Sequence, residues 1–115
     1  MADACIFCRI AAREIPAAVV GESEQCVAFR DLDPQAPLHL VVIPRRHIAS
    51  LDAAVADDAA VLGELSLLAA RIAREEGVAD RGYRTVVNTN ADAGQSVFHV
   101  HLHLLAGRRL AWPPG

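Results

Sequence analysis

Three histidines occupy alternate positions in the run Phe98-His99-Val100-His101-Leu102-His103-Leu104-Leu105. Strand side chains alternate between faces, so the pattern predicts His99, His101 and His103 on one face. Phe98, Val100, Leu102 and Leu104 are then expected on the other, packed on a core. Successive imidazoles on such a strand stand about 6.6–7 Å apart at their Cα atoms. Half-buried imidazoles need hydrogen-bond partners and gain little from packing. Three of the chain's five histidines in this arrangement therefore point to chemistry rather than to a solvated face. A tri-histidine metal site is one reading, although one flat strand converges three ligands poorly on a tetrahedral ion. Nucleophilic catalysis by a neutral imidazole, with neighbours that set tautomer and charge, is the other.

The stretch before this strand favours the second reading. Asn88, Gly94, Gln95 and Ser96 are small or polar, and Gly94 lets the backbone approach a ligand closely. Backbone N–H groups and the Ser96 hydroxyl there suit phosphate oxygens. Asp31, ahead of Pro34, suits a ribose diol as well as an ordinary turn. Ile6, Phe7, Ile10, Phe29 and Leu32 suit the faces of a base as well as a plain core. Arg108 and Arg109, past the strand, read as a solvated pair. Cys5 and Cys8 form a Cys-x-x-Cys pair whose spacing lets both thiolates reach one ion. Redox chemistry or chance accounts for such a pair equally well. Cys26 reads as a small buried hydrophobe.

The elements that must position these residues follow from periodicity. Residues 5–13 carry apolar positions 6, 7 and 10 and predict a short helix with Asp3 as cap, ended by Ile15-Pro16. Strands are expected at 18–22 and 26–30, joined as a hairpin across Glu24-Gln25. Residues 31–37 form a loop with two prolines, and 38–43 form a central strand stopped by Pro44. Ser50 or Asp52 caps a first turn. Val61, Leu62, Leu65, Leu68, Ala69 and Ile72 give the long helix 59–76 an apolar stripe, and Gly77 ends it. Strands at 83–88 and 97–106 follow, with a loop at 89–96 and a tail from 107. The expected fold is α+β, a mostly antiparallel five-stranded sheet with one long and one short helix in a single domain over 1–115.

Composition narrows the function. The chain has 115 residues, 53% hydrophobic and 22% charged, which excludes intrinsic disorder. No apolar run approaches the ~18 residues of a membrane span. A net charge of −3 argues against bulk binding to nucleic acid. All 11 basic residues are arginine. Schiff-base lysine chemistry, a lysine-bearing phosphate loop and a Ser-x-x-Lys site are therefore excluded. The opening Met-Ala-Asp-Ala-Cys lacks a basic region and an apolar core, so we expect no signal peptide, reduced thiols and a cytoplasmic setting.

Taken together, these stretches resemble the histidine triad (HIT) family, and most closely its histidine triad nucleotide-binding (Hint) branch. His99 to Leu105 is similar to the family's His-φ-His-φ-His-φ-φ motif. Cys5-Ile6-Phe7 with Arg13-Glu14-Ile15-Pro16-Ala17 resembles the branch's opening. Phe29 to Pro37 with His39 resembles its ribose loop and fourth active-site histidine. Val42 to Ile48 resembles a Pro-Lys-Lys-His-Ile stretch, with Arg for Lys. Gly94-Gln95-Ser96-Val97 and Trp112-Pro113-Pro114-Gly115 complete the pattern. Thr89-Asn90-Ala91 and Leu110-Ala111 depart from it at the rim of the site.

The resemblance implies a purine nucleotide-binding hydrolase of nucleoside 5′-phosphoramidates with a covalent nucleotidyl-histidine intermediate and no catalytic cofactor. His101 would be the nucleophile and His103 would bind the phosphoryl group. His39 would set protonation, and Ser96 would meet the phosphate or leaving group. Asn88, Gly94, Gln95 and Val97 would line the phosphate site. Asp31 would hold the ribose, while Ile6, Ile10, Phe29 and Leu32 would enclose the base. It further implies a homodimer in which Trp112 reaches the partner's leaving-group pocket. Some relatives join an N-terminal Cys pair to two histidines, which implies a structural zinc on Cys5, Cys8, His47 and His99. A dinucleoside polyphosphate hydrolase, or a nucleotide-binding regulatory module with incidental catalysis, remains an alternative.

Overall fold

The computed structural model describes residues 4–115, so the expected cap Asp3 lies outside the described residues. Helix α1 spans Ile6–Ala11, and Cys5 is its N-cap, with Sγ accepting the Cys8 N–H at 3.4 Å. It stops short of the expected Arg13 because that residue takes a left-handed conformation, with φ 60°. The turn is closed by the Glu14 N–H on the Arg9 carbonyl at 2.9 Å.

Five strands follow in one sheet: β1 (Val19–Glu22), β2 (Cys26–Arg30), β3 (Leu38–Pro44), β4 (Tyr83–Val86) and β5 (Leu102–Ala106). Their order is β1-β2-β3-β5-β4, and every neighbouring pair is antiparallel. Pro44 does not stop β3 but is its last residue, paired with Cys26. Between β3 and β4 the chain passes a Ser50-capped turn, in which Ser50 Oγ accepts the Ala53 N–H at 3.1 Å. A 3₁₀ turn at Ala56–Asp58 then leads into helix α2 (Ala59–Glu75).

The sheet is apolar on both faces, which is why two helices cover it. On one side Val61, Leu65, Leu68, Ala69 and Ile72 of α2 meet Leu40, Val42, Leu102 and Leu104. Each such side chain is worth roughly 1.5–3 kcal/mol on burial. On the other side Val27, Phe29, Val41 and Ile43 meet Ile10 of α1. Glu64 of α2 fixes the β1–β2 turn by accepting the Gln25 N–H at 2.7 Å.

The histidine run departs from the expected strand. Regular pairing begins only at Leu102, and residues 97–101 are irregular. The Val100 N–H bonds the Ile48 carbonyl at 2.6 Å, outside the β3–β5 ladder. Val100, Leu102 and Leu104 are buried as expected, but Phe98 is 50% exposed rather than part of the core. It lies beyond the point where the chain leaves the sheet. β4 likewise ends at Val86, so Asn88 sits past the strand. Among the described residues no helix is long and apolar enough to cross a membrane.

Candidate active site

His39 of β3 and His103 of β5 lie on neighbouring strands on the α1 side of the sheet, and a chain of hydrogen bonds assigns their protons. The peptide N–H of Gln35 donates to His39 Nδ1 at 3.0 Å, so that nitrogen carries a lone pair. In neutral His39 the proton is then on Nε2, which lies 2.8 Å from His103 Nδ1. His103 must accept there and carry its own proton on Nε2. His101 is fixed the opposite way. Its Nδ1 lies 2.8 Å from the His99 carbonyl, which can only accept, so Nδ1 bears the proton and Nε2 the lone pair. The His101 and His103 rings stand 5.0 Å apart. Phe7 of α1 meets the His101 ring edge to face, at 5.1 Å and 86°. One imidazole thus offers a basic nitrogen beside another that offers an N–H.

Burial disfavours the charged form of His103 and of His39. It pushes His103 down to about 4, with the neighbouring His101 and His39 adding to the shift and Asp31 opposing it. Burial also lowers His39, against the pull of Asp31 and Asp33. The His103 gap has a consequence for stability. The unfolded chain, with imidazole pKa ~6.5, binds more protons than the folded one between about pH 4 and 6.5. Stability is therefore full above that window and falls as pH drops through it. His103 alone should cost about 2 kcal/mol between pH 7.5 and pH 5. Urea unfolding at the two pH values checks this; an equal slope in His103→Gln would contradict it.

Asp31 stands at the same place. Its Oδ1 accepts the Asp33 N–H at 2.8 Å, and its Oδ2 lies 3.4 Å from His39 Nε2. Beside it a cavity of about 240 Å³ is lined by Ile6, Phe7, Ile10, Phe29, Leu32 and Val41. Leu32 is fully exposed and Ile6 half-exposed, so this apolar wall is open to a ligand. A cleft of about 180 Å³ is lined by Gln35, His39, Asn88 and His103. Gly94, at φ 83°, and Ser96 are exposed on the loop that precedes the triad.

Gln95 does a different job from the one expected. It is buried, and its amide is spent on the loop itself. Its Oε1 accepts the Asn90 N–H at 2.9 Å, while Nε2 donates to the Ala49 and Val97 carbonyls at 2.9 and 3.1 Å. The side chain shapes the loop and has no amide N–H left to donate to a ligand. The peptide N–H of Gln35 was not foreseen, because backbone groups leave no signature in residue types.

A second cluster lies on the other side of His101. Ligand atoms of Cys5, Cys8, His47 and His99 all fall within 4.8 Å of one another. Cys8 Sγ is 3.3 Å from His47 Nδ1 and 3.4 Å from His99 Nδ1, and Cys5 Sγ is 3.4 Å from His99 Nδ1. A tetrahedron with bonds of ~2.0–2.3 Å has edges of about 3.3–3.8 Å, so the set fits zinc. His99 Nε2 faces the Pro44 carbonyl at 2.8 Å, which holds the proton there and turns the Nδ1 lone pair to the thiols. Burial and the adjacent Cys5 thiol push Cys8 up to about 11. A cation bound there would favour the thiolate that ligation requires. Cys26 is fully buried, as expected, and its thiol is pushed up to about 12 by burial.

An antiparallel α+β sheet with histidines clustered on one face defines the class, and comparison places it. The HIT domain model matches residues 12–110. An uncharacterised HIT-like protein of Synechococcus elongatus is 53% identical over 115 residues, all of both chains. A HIT family hydrolase from Legionella pneumophila superposes with TM-score 0.94 at 50% identity, covering 96% of this chain and 99% of that one. A Zn-bound histidine triad family protein from Mycobacterium smegmatis superposes at 0.79 with 29% identity, covering 100% and 82%. The chain belongs to the HIT domain family.

Proposed function

We propose that this protein hydrolyses purine nucleoside 5′-phosphoramidates through a nucleotidyl-histidine on His101. The observation that carries the reading is the pair of fixed tautomers: a lone pair on His101 Nε2 beside an N–H on His103 Nε2. His101 Nε2 attacks phosphorus as the P–N bond breaks. The electron pair leaves with the amine, which takes a proton through Ser96 or the His103 Nε2–H. Water then attacks the cationic phospho-imidazole, gives a proton back to the group that protonated the amine, returns the P–N electron pair to Nε2 and releases the nucleoside monophosphate. Phosphoryl transfer is mostly positioning and charge stabilisation. His103, Asn88 and the backbone at Gly94 and Val97 take the phosphate oxygens, and Asp31 takes the ribose hydroxyls. The cavity bounded by Ile6, Ile10, Phe29 and Leu32 takes the base. Gln95 acts through the loop shape. A fluorogenic adenosine 5′-phosphoramidate should turn over with higher kcat/KM than diadenosine polyphosphates. The reverse order would favour polyphosphate hydrolysis, and no turnover of either would favour a binding module.

A histidine triad relative from Mycobacterium smegmatis is Zn-bound, and the cysteine–histidine cluster supports a structural zinc on Cys5, Cys8, His47 and His99. It would tie α1 and Phe7 to the sheet beside His101.

We further propose a homodimer. β4 is an edge of the sheet, Tyr83 on it is 38% exposed, and Leu67 on α2 is 71% exposed. Pairing two copies removes an edge from each. Trp112, 81% exposed with the Arg84 guanidinium 6.0 Å from its ring, would then reach the partner's leaving-group pocket. Light scattering should give about twice 12.3 kDa at micromolar concentration. A value near one chain would overturn the dimer, and unchanged leaving-group preference in Trp112→Ala would overturn the pocket role.

A further inference from the structure

We propose that Arg108 is a positioning residue that clamps the loop 31–37 from outside and thereby sets the proton positions on His39 and His103. Its kinetic consequence rests on the phosphoryl-transfer reading above; its structural consequence does not.

The loop has little apolar burial of its own. Leu32, Asp33, Pro34, Gln35 and Pro37 are all exposed. Inside it, the Asp33 N–H bonds Asp31 and the Gln35 side-chain amide donates to the Asp33 carbonyl at 2.9 Å. Gln35 is the turning point. Its N–H points inward to His39 Nδ1, while its carbonyl accepts from Arg108 Nη2 at 3.0 Å. Those two groups belong to successive peptide planes. Holding both fixes φ and ψ of Gln35, and so fixes the N–H that selects the His39 tautomer.

The seat for the clamp is built into the end of β5. Gly107 has φ 96°, and a Cβ there would lie 2.8 Å from Cβ of Pro37. Only glycine lets the chain close against the loop at that point. Arg108 follows directly, and its Nη1 donates to the Arg109 carbonyl at 3.1 Å, which holds the guanidinium in place. An exposed arginine whose two hydrogen bonds both go to backbone carbonyls fixes chain geometry rather than a charged partner.

Without the clamp, the Gln35 N–H can leave His39 Nδ1 and the proton can move onto that nitrogen. His39 Nε2 then presents a lone pair to His103 Nδ1, 2.8 Å away. Two lone pairs at that distance repel, so His103 must move its own proton to Nδ1. Its Nε2 then loses the N–H that faces the phosphate. Partners that orient a catalytic ring in this way are typically worth 10–100-fold.

The test is ¹⁵N-histidine NMR on the full chain, paired with steady-state kinetics. In the parent, Nδ1 of His39 and of His103 should resonate as unprotonated and both Nε2 as protonated. In Arg108→Ala both rings should move toward averaged tautomers, with kcat down about tenfold and KM within about twofold. Arg108→Lys, which keeps one donor, should recover most of the parent pattern. Arg109→Ala should leave it unchanged. A parent pattern retained in Arg108→Ala, or a different tautomer in the parent, would overturn the proposal. If the spectra respond but the parent turns over no phosphoramidate, the function reading fails and the clamp stands.

Discussion

His101→Ala should abolish turnover while leaving the fold and nucleotide binding in place. The ring sits where only its Nε2 can attack phosphorus, since Nδ1 is committed to the His99 carbonyl. His101 does not itself line the cavity of Ile6, Phe29 and Leu32, which it meets only through Phe7. Losing a nucleophile should lower kcat by three or more orders of magnitude, about 4 kcal/mol or more of transition-state stabilisation. The nucleoside monophosphate should still bind within a few-fold of the parent. Truncation also leaves the His99 carbonyl without its donor, a cost of roughly 1–3 kcal/mol in stability. Kinetics must therefore be read at a temperature where circular dichroism shows both proteins folded. Retention of more than a few per cent of parent activity would remove His101 from the chemistry.

Metal removal should have the second largest effect. Protein purified without chelator or affinity tag should carry one zinc per chain. The double variant Cys5→Ala/Cys8→Ala should carry none. A ligand that binds only the folded state stabilises it by about 4 kcal/mol at a free concentration 1,000-fold above Kd. The chelated protein and the double variant should thus melt well below the zinc-loaded parent, and by similar amounts. The effect should reach the active site, because α1 carries both Cys8 and Phe7, whose ring braces His101. A zinc content far below one, with Cys5 and Cys8 freely reactive to thiol reagents, would rule the site out.

Much of this architecture is legible in residue patterns, for definite reasons. α2 and β2 appear where periodicity places them because each has one uninterrupted apolar rhythm, at 61-65-68-69-72 and at 26–29. The antiparallel sheet and its two helices are those expected. Where the pattern misleads, a tertiary bond overrides it. The alternation through Phe98 predicts a strand that the Val100–Ile48 bond interrupts. Arg13 ends α1 by a backbone conformation that its residue type does not advertise. At the site, the pairing of His39 with His103 follows from strand register, since Val41 faces His103 and so brings His39 beside it, whereas His101 precedes the ladder and is held by its own bond to the His99 carbonyl. The cysteine–histidine cluster is legible only through the family resemblance, which joins the Cys5–Cys8 spacing to His47 and His99. What stayed hidden were the backbone contributions: the Gln35 N–H, the His99 and Pro44 carbonyls, and the Gln35 carbonyl that engages Arg108. Gln95 shows the converse, a polar residue beside the triad whose amide is used up in holding its own loop.

Covalent capture tests the central claim most directly. Rapid acid-sparing quench of the protein during turnover of a nucleoside 5′-phosphoramidate, followed by proteolysis and mass spectrometry, should find one nucleoside monophosphoryl group per active site. Fragmentation should place it on His101. A full set of quench times with turnover but no adduct, or an adduct on His103, His39 or Ser96 instead, would contradict the account.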